Sequence, residues 1–222
     1  KQRGCDIGPS MRVIHVMASA ARGGGADHLK EILPRLNAQG IDCALVTGVD
    51  GDLGSWAEAN KIVVRQVDLM QKRLDPVKVK TLRGLLNELQ PDIVHYHGTR
   101  AAFFGAIGNI ARPQWKSVYT AHGLAFRKET GLLRKAVFSL AERIACRGVD
   151  HVVSVSSSDL AELRERGDVP LGGTYIPNAV DTSTFRPGAK GEARERLSLS
   201  KDSFVVGTVS RLVPQKGVEW LI

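Results

Sequence analysis

Arg211 and Lys216 stand five residues apart, in a loop that leaves the apolar run 205–209 and enters a helix start at Gly217 and Val218. Two fixed cations beside free N–H groups at a helix N-terminus make a site for a diphosphate. A second chemical stretch, Arg22-Gly23-Gly24-Gly25, follows the apolar run 12–17. Its glycines allow the backbone to approach a ligand closely. They lack the G-x-G-x-x-G spacing of a dinucleotide fold, which weakens a dehydrogenase reading. His122-Gly123 follows Tyr119-Thr120-Ala121. A histidine at the end of a strand, with glycine behind it, reaches a ligand while the backbone turns away; a core histidine is the alternative. His97-Gly98-Thr99-Arg100 closes another strand in the same way. His95 and His97 are read as facing opposite sides of that strand, with no third ligand in view, hence as no metal pair. On this reading His95 belongs to the core and His97 to the rim.

The elements that would position these residues alternate between two periodicities. Short apolar runs read as strands at 12–17, 43–47, 62–67, 93–96, 117–120, 151–155 and 174–176. Helical spacing appears at 26–39, 77–89, 101–110, 132–147 and 158–166, with Pro34 expected to kink or bound the first of these. Strands alternating with helices predict a Rossmann-like parallel sheet with helices on both faces. Ligands of such sheets bind beyond the carboxyl ends of the strands. Residues 22–25, 97–100, 122–123 and 156–158 all follow strands, so they are expected on one rim. From 177 to 202 the composition turns to Pro, Gly, Ser and charge, and residues 203–210 are expected to begin a second sheet.

Residues 1–10 carry charge, two Gly and a Pro without an apolar run, so they are no signal peptide and read as an upstream segment ahead of Met11. Residues 11–180 are then one domain, 181–202 a connector, and 203–222 the start of another domain. No apolar run approaches the roughly 18 residues that would span a bilayer. Three scattered cysteines argue against a disulfide framework or a zinc site, and suit a reducing cytoplasm. The net charge of +8 suits anionic partners without choosing among them. Residues 124–148 hold six Lys/Arg against two Glu, with Leu133, Val137, Leu140 and Ile144 on one helical face. Packing against the sheet is the default for such a face; contact with an anionic membrane is the functional alternative.

In order along the chain, these features resemble the large retaining family four of GT-B glycosyltransferases. The matching residues are Gly23–Gly25, His95-x-His97-Gly98, Thr120-x-His122-Gly123, a Val-Ser-x-Ser stretch, and Ile176-Pro177-Asn178-Ala179-Val180-Asp181 with Phe185 and Pro187. The last is Gly207-x-x-Ser210-Arg211-Leu212 followed by Lys216-Gly217. Ala179 stands where that family usually has Gly. The resemblance implies two facing Rossmann-like domains and a nucleotide-sugar donor, UDP- or GDP-linked. It implies that Gly24, Gly25, Ser210, Arg211 and Lys216 bind the donor, with His122, Arg211 and Lys216 in the catalytic step. Arg22, His97, Thr99 and Arg100 would line the acceptor side. No metal and no other cofactor is expected, because the two cations take over the charge of the leaving diphosphate. The acceptor is expected to be a glycan or lipid-linked, in bacterial polysaccharide, lipopolysaccharide or glycolipid assembly at the inner face of the cytoplasmic membrane. The family's pair of acidic residues would fall beyond Ile222, so this chain alone is expected to be inactive.

Two rivals differ in what they need. A UDP-sugar epimerase of the same fold needs cleft carboxylates for proton chemistry, and none stands out. A basic nucleic-acid module needs clustered cations interleaved with aromatics, but the chain is 5% aromatic with dispersed charge.

Overall fold

The structure, a computed structural model, describes residues 11–71, 75–110, 113–127, 131–169, 172–210, 212–213 and 216–221. Residues 1–10 and Arg211 therefore lie outside the described residues. The chain divides into two compact units, Lys1–Asn178 and Ala179–Ile222.

The first unit is a seven-stranded parallel sheet with helices on both faces. The strands are β1 (Arg12–Met17), β2 (Asp42–Thr47), β3 (Val63–Gln66), β4 (Ile93–His97), β5 (Lys116–Ala121), β6 (His151–Ser154) and β7 (Gly173–Tyr175). They lie in the order β3-β2-β1-β4-β5-β6-β7. The chain winds outward in one direction from β1 and then, from β4, in the other. The crevice between β1 and β4 is thus the topological switch point, where such sheets bind ligands.

The helices are α1 (Gly24–Ala38), α2 (Leu53–Ala59), α3 (Pro76–Leu89), α4 (Thr99–Asn109), α5 (Leu132–Arg147) and α6 (Ser157–Glu165). Leu29 and Leu33 of α1 and Leu53 and Ala57 of α2 pack with Cys43 and Leu45 of β2 on one face. Ile14, Val16, Val94, Tyr96 and Tyr119 point to the other, against Leu82 and Leu86 of α3, Phe104 of α4 and Ala145 of α5. Full burial of one such aliphatic side chain stabilises by about 1.5–3 kcal/mol. The α1 helix runs through Pro34. The α3 helix starts where Pro at its first position and the Asp75 carboxylate, accepting from Val77 N–H at 3.0 Å, predispose it to start. Gly105 lets α4 lie flat on the sheet, because a Cβ there would sit 2.3 Å from the buried Tyr96 ring.

Two features depart from the sequence reading. The α2 helix was unread: seven residues containing Gly54 carry too little periodicity to announce a helix. And residues 203–210 pair with no strand among the described residues. Phe204 is 93% exposed there, and an apolar run without a ladder partner is not a strand. Among its described residues the second unit also holds α7 (Lys190–Arg196), a 3-10 turn (Val218–Trp220) at the expected helix start, and a turn in which Asp181 accepts hydrogen bonds from the N–H and hydroxyl of Ser183, at 2.9 and 2.6 Å.

Candidate active site

Five of the six histidines gather on one side of the switch point. Parallel register sets His15 of β1 beside His95 of β4, and Met17 beside His97. Residues two apart on a strand share a face, so His95 and His97 point the same way, their ring centroids 4.2 Å apart. The opposite-face reading of this pair is corrected by that periodicity. The expectation of no third ligand also fails, since His15 and His28 bring their ring nitrogens to the same cluster.

The rings are linked in a chain. His15 Nδ1 and His97 Nε2 share a hydrogen bond at 3.0 Å, and His97 Nδ1 and His122 Nε2 share another at 3.1 Å. His28, one turn into α1, sets its ring 5.1 Å from that of His122, edge to face. His95 Nε2 is satisfied by the Thr120 hydroxyl at 2.7 Å. Burial depresses every one of these imidazoles first, and repulsion among them adds to it for all but His28. His122 is brought down to about 4 and His95 to about 3; His15, His28 and His97 move in the same direction. At neutral pH the cluster is therefore uncharged, a set of hydrogen-bonding rings rather than a cationic patch.

Glycines shape the rim around it. Gly98 and Gly123, each directly after a strand-end histidine, have φ of 80° and 137°. Those are backbone conformations that L side chains resist; they turn the chain away and leave His97 and His122 at the strand ends. Gly25, in the first turn of α1, is closer still. A Cβ there would lie 2.8 Å from the Met17 methyl and 3.8 Å from the His122 ring. The first-turn N–H groups of α1 thus stand beside His122. The loop before α1 is held by Asp50, whose carboxylate accepts from the Ser19 hydroxyl at 2.6 Å and Ala20 N–H at 2.7 Å. Burial works against that carboxylate, but these bonds hold its pKa below the ordinary value.

The remaining residues singled out from the sequence fall in several places. Arg22 is exposed, 3.3 Å from Asp52, and Gly24 is exposed in the first turn of α1. His97 is only 2% exposed, behind His122. It is not a rim residue, because both its ring nitrogens are engaged by neighbouring imidazoles. The Thr99 hydroxyl turns inward to Glu142, donating at 2.8 Å, and Tyr119 donates to the same carboxylate at 2.6 Å. Glu142 is fully buried, and burial raises its pKa against those hydrogen bonds. It pins the first turn of α4 to α5, and nothing in its sequence neighbourhood marked it. The Arg100 guanidinium donates to the carbonyls of Leu69 and Gln71. Ser156 caps α6, accepting from Asp159 N–H at 3.2 Å. In the second unit Ser210 and Lys216 are exposed, Lys216 just ahead of Gly217 with φ 57°.

The sequence profile described as Glycosyltransferase Family 4 matches residues 22–184, most of the chain. An Escherichia coli UDP-Gal:alpha-D-GlcNAc-diphosphoundecaprenol alpha-1,3-galactosyltransferase is 32% identical over 61% of this chain and 36% of its own length. A Geodermatophilus obscurus D-inositol 3-phosphate glycosyltransferase is 26% identical over 90% of this chain and 49% of its own. The chain thus spans between a third and a half of these relatives. The Anabaena protein HepE, solved with UDP and glucose, has the same fold, with a TM-score of 0.75 at 21% identity over 95% of this chain and 56% of its own.

Proposed function

This chain belongs to glycosyltransferase family 4, and from that membership we propose that it contributes the acceptor-side domain, and the donor-phosphate loop, of a retaining glycosyltransferase. The donor is a UDP- or GDP-linked sugar, and the acceptor a glycan or lipid-linked saccharide in bacterial surface polysaccharide or glycolipid assembly. The observation that carries the reading is the His122 ring at the β1–β4 switch point, beside the α1 N-terminus and the Gly25 gap. A neutral imidazole there gives the transferred sugar a hydrogen-bond partner without adding charge. The N–H groups of Gly24 and Gly25 favour the anionic end of the donor. Arg211 and Lys216 take up the charge that develops as the bond between sugar and diphosphate breaks. The reaction so read needs no metal. Full-length protein incubated with UDP- and GDP-sugars and a polyprenyl-diphosphate saccharide should release nucleoside diphosphate and form a product whose anomeric configuration, read by NMR, matches the donor. An inverted product would sink the reading.

We further propose that α5 holds the protein against anionic membrane. Leu132, Leu133, Val137 and Leu140 are 87%, 79%, 42% and 59% exposed, beside exposed Arg134 and Lys135. The sheet takes the opposite face of the helix, through Ala145 and Cys146. An apolar stripe rimmed with cations suits the interface of an anionic bilayer. No described helix is long and apolar enough to cross a membrane. Arg127 is left out of this surface, being paired with Asp159 and Glu162. Each basic residue near such a surface contributes about 1 kcal/mol, so Arg134→Glu/Lys135→Glu should weaken co-sedimentation with phosphatidylglycerol vesicles by roughly thirtyfold or more. Equal sedimentation of the two proteins would end the membrane proposal and leave the transferase reading standing.

A further inference from the structure

We infer that His28, His97 and His122 form a binding site for a borderline-soft divalent cation such as Zn²⁺ or Co²⁺. One ring nitrogen from each of the three lies within 4.8 Å of the others. Two imidazole nitrogens bound to one tetrahedral zinc at about 2.0–2.1 Å sit roughly 3.3 Å apart. His97 Nδ1 and His122 Nε2 are already 3.1 Å apart, so an ion that replaces the hydrogen bond between them needs the two rings to turn but hardly to separate. His28, on the first turns of α1, closes the third side by turning its ring. A set of three histidines leaves a fourth position open for water or a ligand oxygen.

The tautomers are consistent with an ion at this place. His97 Nε2–H donates to His15 Nδ1 across 3.0 Å, which leaves the His97 Nδ1 lone pair for the metal. Without an ion, the bond to His97 Nδ1 needs the His122 proton on Nε2; on binding, that proton moves to Nδ1 and Nε2 is offered to the metal. His15 then holds its own proton on Nε2, a buried atom with no hydrogen-bond partner in the structure. All rings stay neutral, so binding needs no proton to be expelled. His15 acts as the outer partner that fixes the orientation and tautomer of a metal-binding histidine. The inner trio His15, His95 and His97 is the poorer candidate, because His95 Nε2 is taken by Thr120 and the trio lies deeper. Nitrogen donors favour zinc, cobalt, nickel and copper over magnesium or calcium. The positive end of α1 opposes a cation here, weakening it by roughly a factor of five, far less than three imidazole bonds contribute. Only the consequence for transfer, immobilisation of His122, rests on the proposed function; the site itself does not.

The test is titration of the metal-free 222-residue chain with Co²⁺, followed by visible absorption, and with Zn²⁺ by calorimetry. The expected result is one equivalent bound, with ligand-field bands of a four- or five-coordinate ion and no thiolate charge-transfer band. His28→Gln and His122→Gln should each weaken binding about tenfold or more, while His151→Gln, at the exposed sixth histidine, leaves it unchanged. If His122→Gln fails to fold, His28→Gln on the partly exposed helix face decides alone. A thiolate band, no bound equivalent, or binding indifferent to His28→Gln would overturn the assignment.

Discussion

As the pH of a metal-free solution falls from 7 towards 4, the first unit should lose its stability steeply and unfold. The cause is the histidine chain. Each ring has a folded-state pKa below its unfolded value of about 6.5, with His122 at about 4 and His95 at about 3. For a depressed imidazole the unfolded chain binds the proton first. Stability is therefore fully present above about pH 6.5 and drains away as the pH falls towards the folded values. Each unit of depression corresponds to about 1.4 kcal/mol, so either His95 or His122 alone removes roughly 3 kcal/mol by pH 4. Small domains hold only about 5–15 kcal/mol in total. Glu142 works the other way, its raised pKa favouring the folded state in acid, but it is one group against five rings. Denaturant melts at stepped pH should show several protons taken up on unfolding. A free energy of unfolding that stays flat between pH 7 and 5 would contradict the buried, neutral state of the cluster.

In the full-length protein, Arg211→Ala and Lys216→Ala should each lower kcat by about a hundredfold to a thousandfold. That is the usual loss when one preorganised donor to a developing anion is removed. Lys216 is exposed, and an exposed loop cation contributes little to folding. Melting temperatures should therefore stay within a degree or two of the parent while turnover collapses. The KM for donor should rise less than kcat falls, because the charge that these cations meet is largest as the diphosphate departs. Near-parental kinetics in two folded variants would remove the donor-loop assignment. His122 would then need another explanation, since the switch-point geometry does not depend on that loop.

How much of this was legible beforehand depends on the element. The strands were plain, because parallel strands buried on both faces read as apolar runs: residues 12–17 and 43–47 could hardly be anything else. The α5 helix was placed at its true ends, but its face was not. Leu133, Val137 and Leu140 read either as a core stripe or as a membrane-facing one, and only the packing of Ala145 and Cys146 shows which side of the helix the sheet takes. His122 was marked by the glycine behind it. His97 was marked by its own glycine, though as a rim residue; His15 and His28 were not, because they come from β1 and α1, and only the packing across the β1–β4 crevice brings them together. The period of two along β4 was the available signal, and it points His95 and His97 the same way. Glu142 carried none: a carboxylate buried beneath α4 looks in sequence like any solvated helix charge.

The row of imidazoles has a consequence for how the sheet finds its alignment. Along β4 the residues alternate Val94 and Tyr96 on one face with His95 and His97 on the other. A slip of one residue against β1 would exchange the faces. It would drive two imidazoles into the layer of Ile14, Val16 and Phe104, far from their partners on His15, Thr120 and His122, and would lift Tyr96 out of its seat against Gly105. Each stranded polar ring would then be desolvated without compensation, at about 1–3 kcal/mol apiece. Apolar runs of Val, Ile and Leu are nearly interchangeable under sliding, so on their own they proofread poorly. The histidines act as registration marks, rejecting misaligned pairings of the two central strands while the sheet assembles.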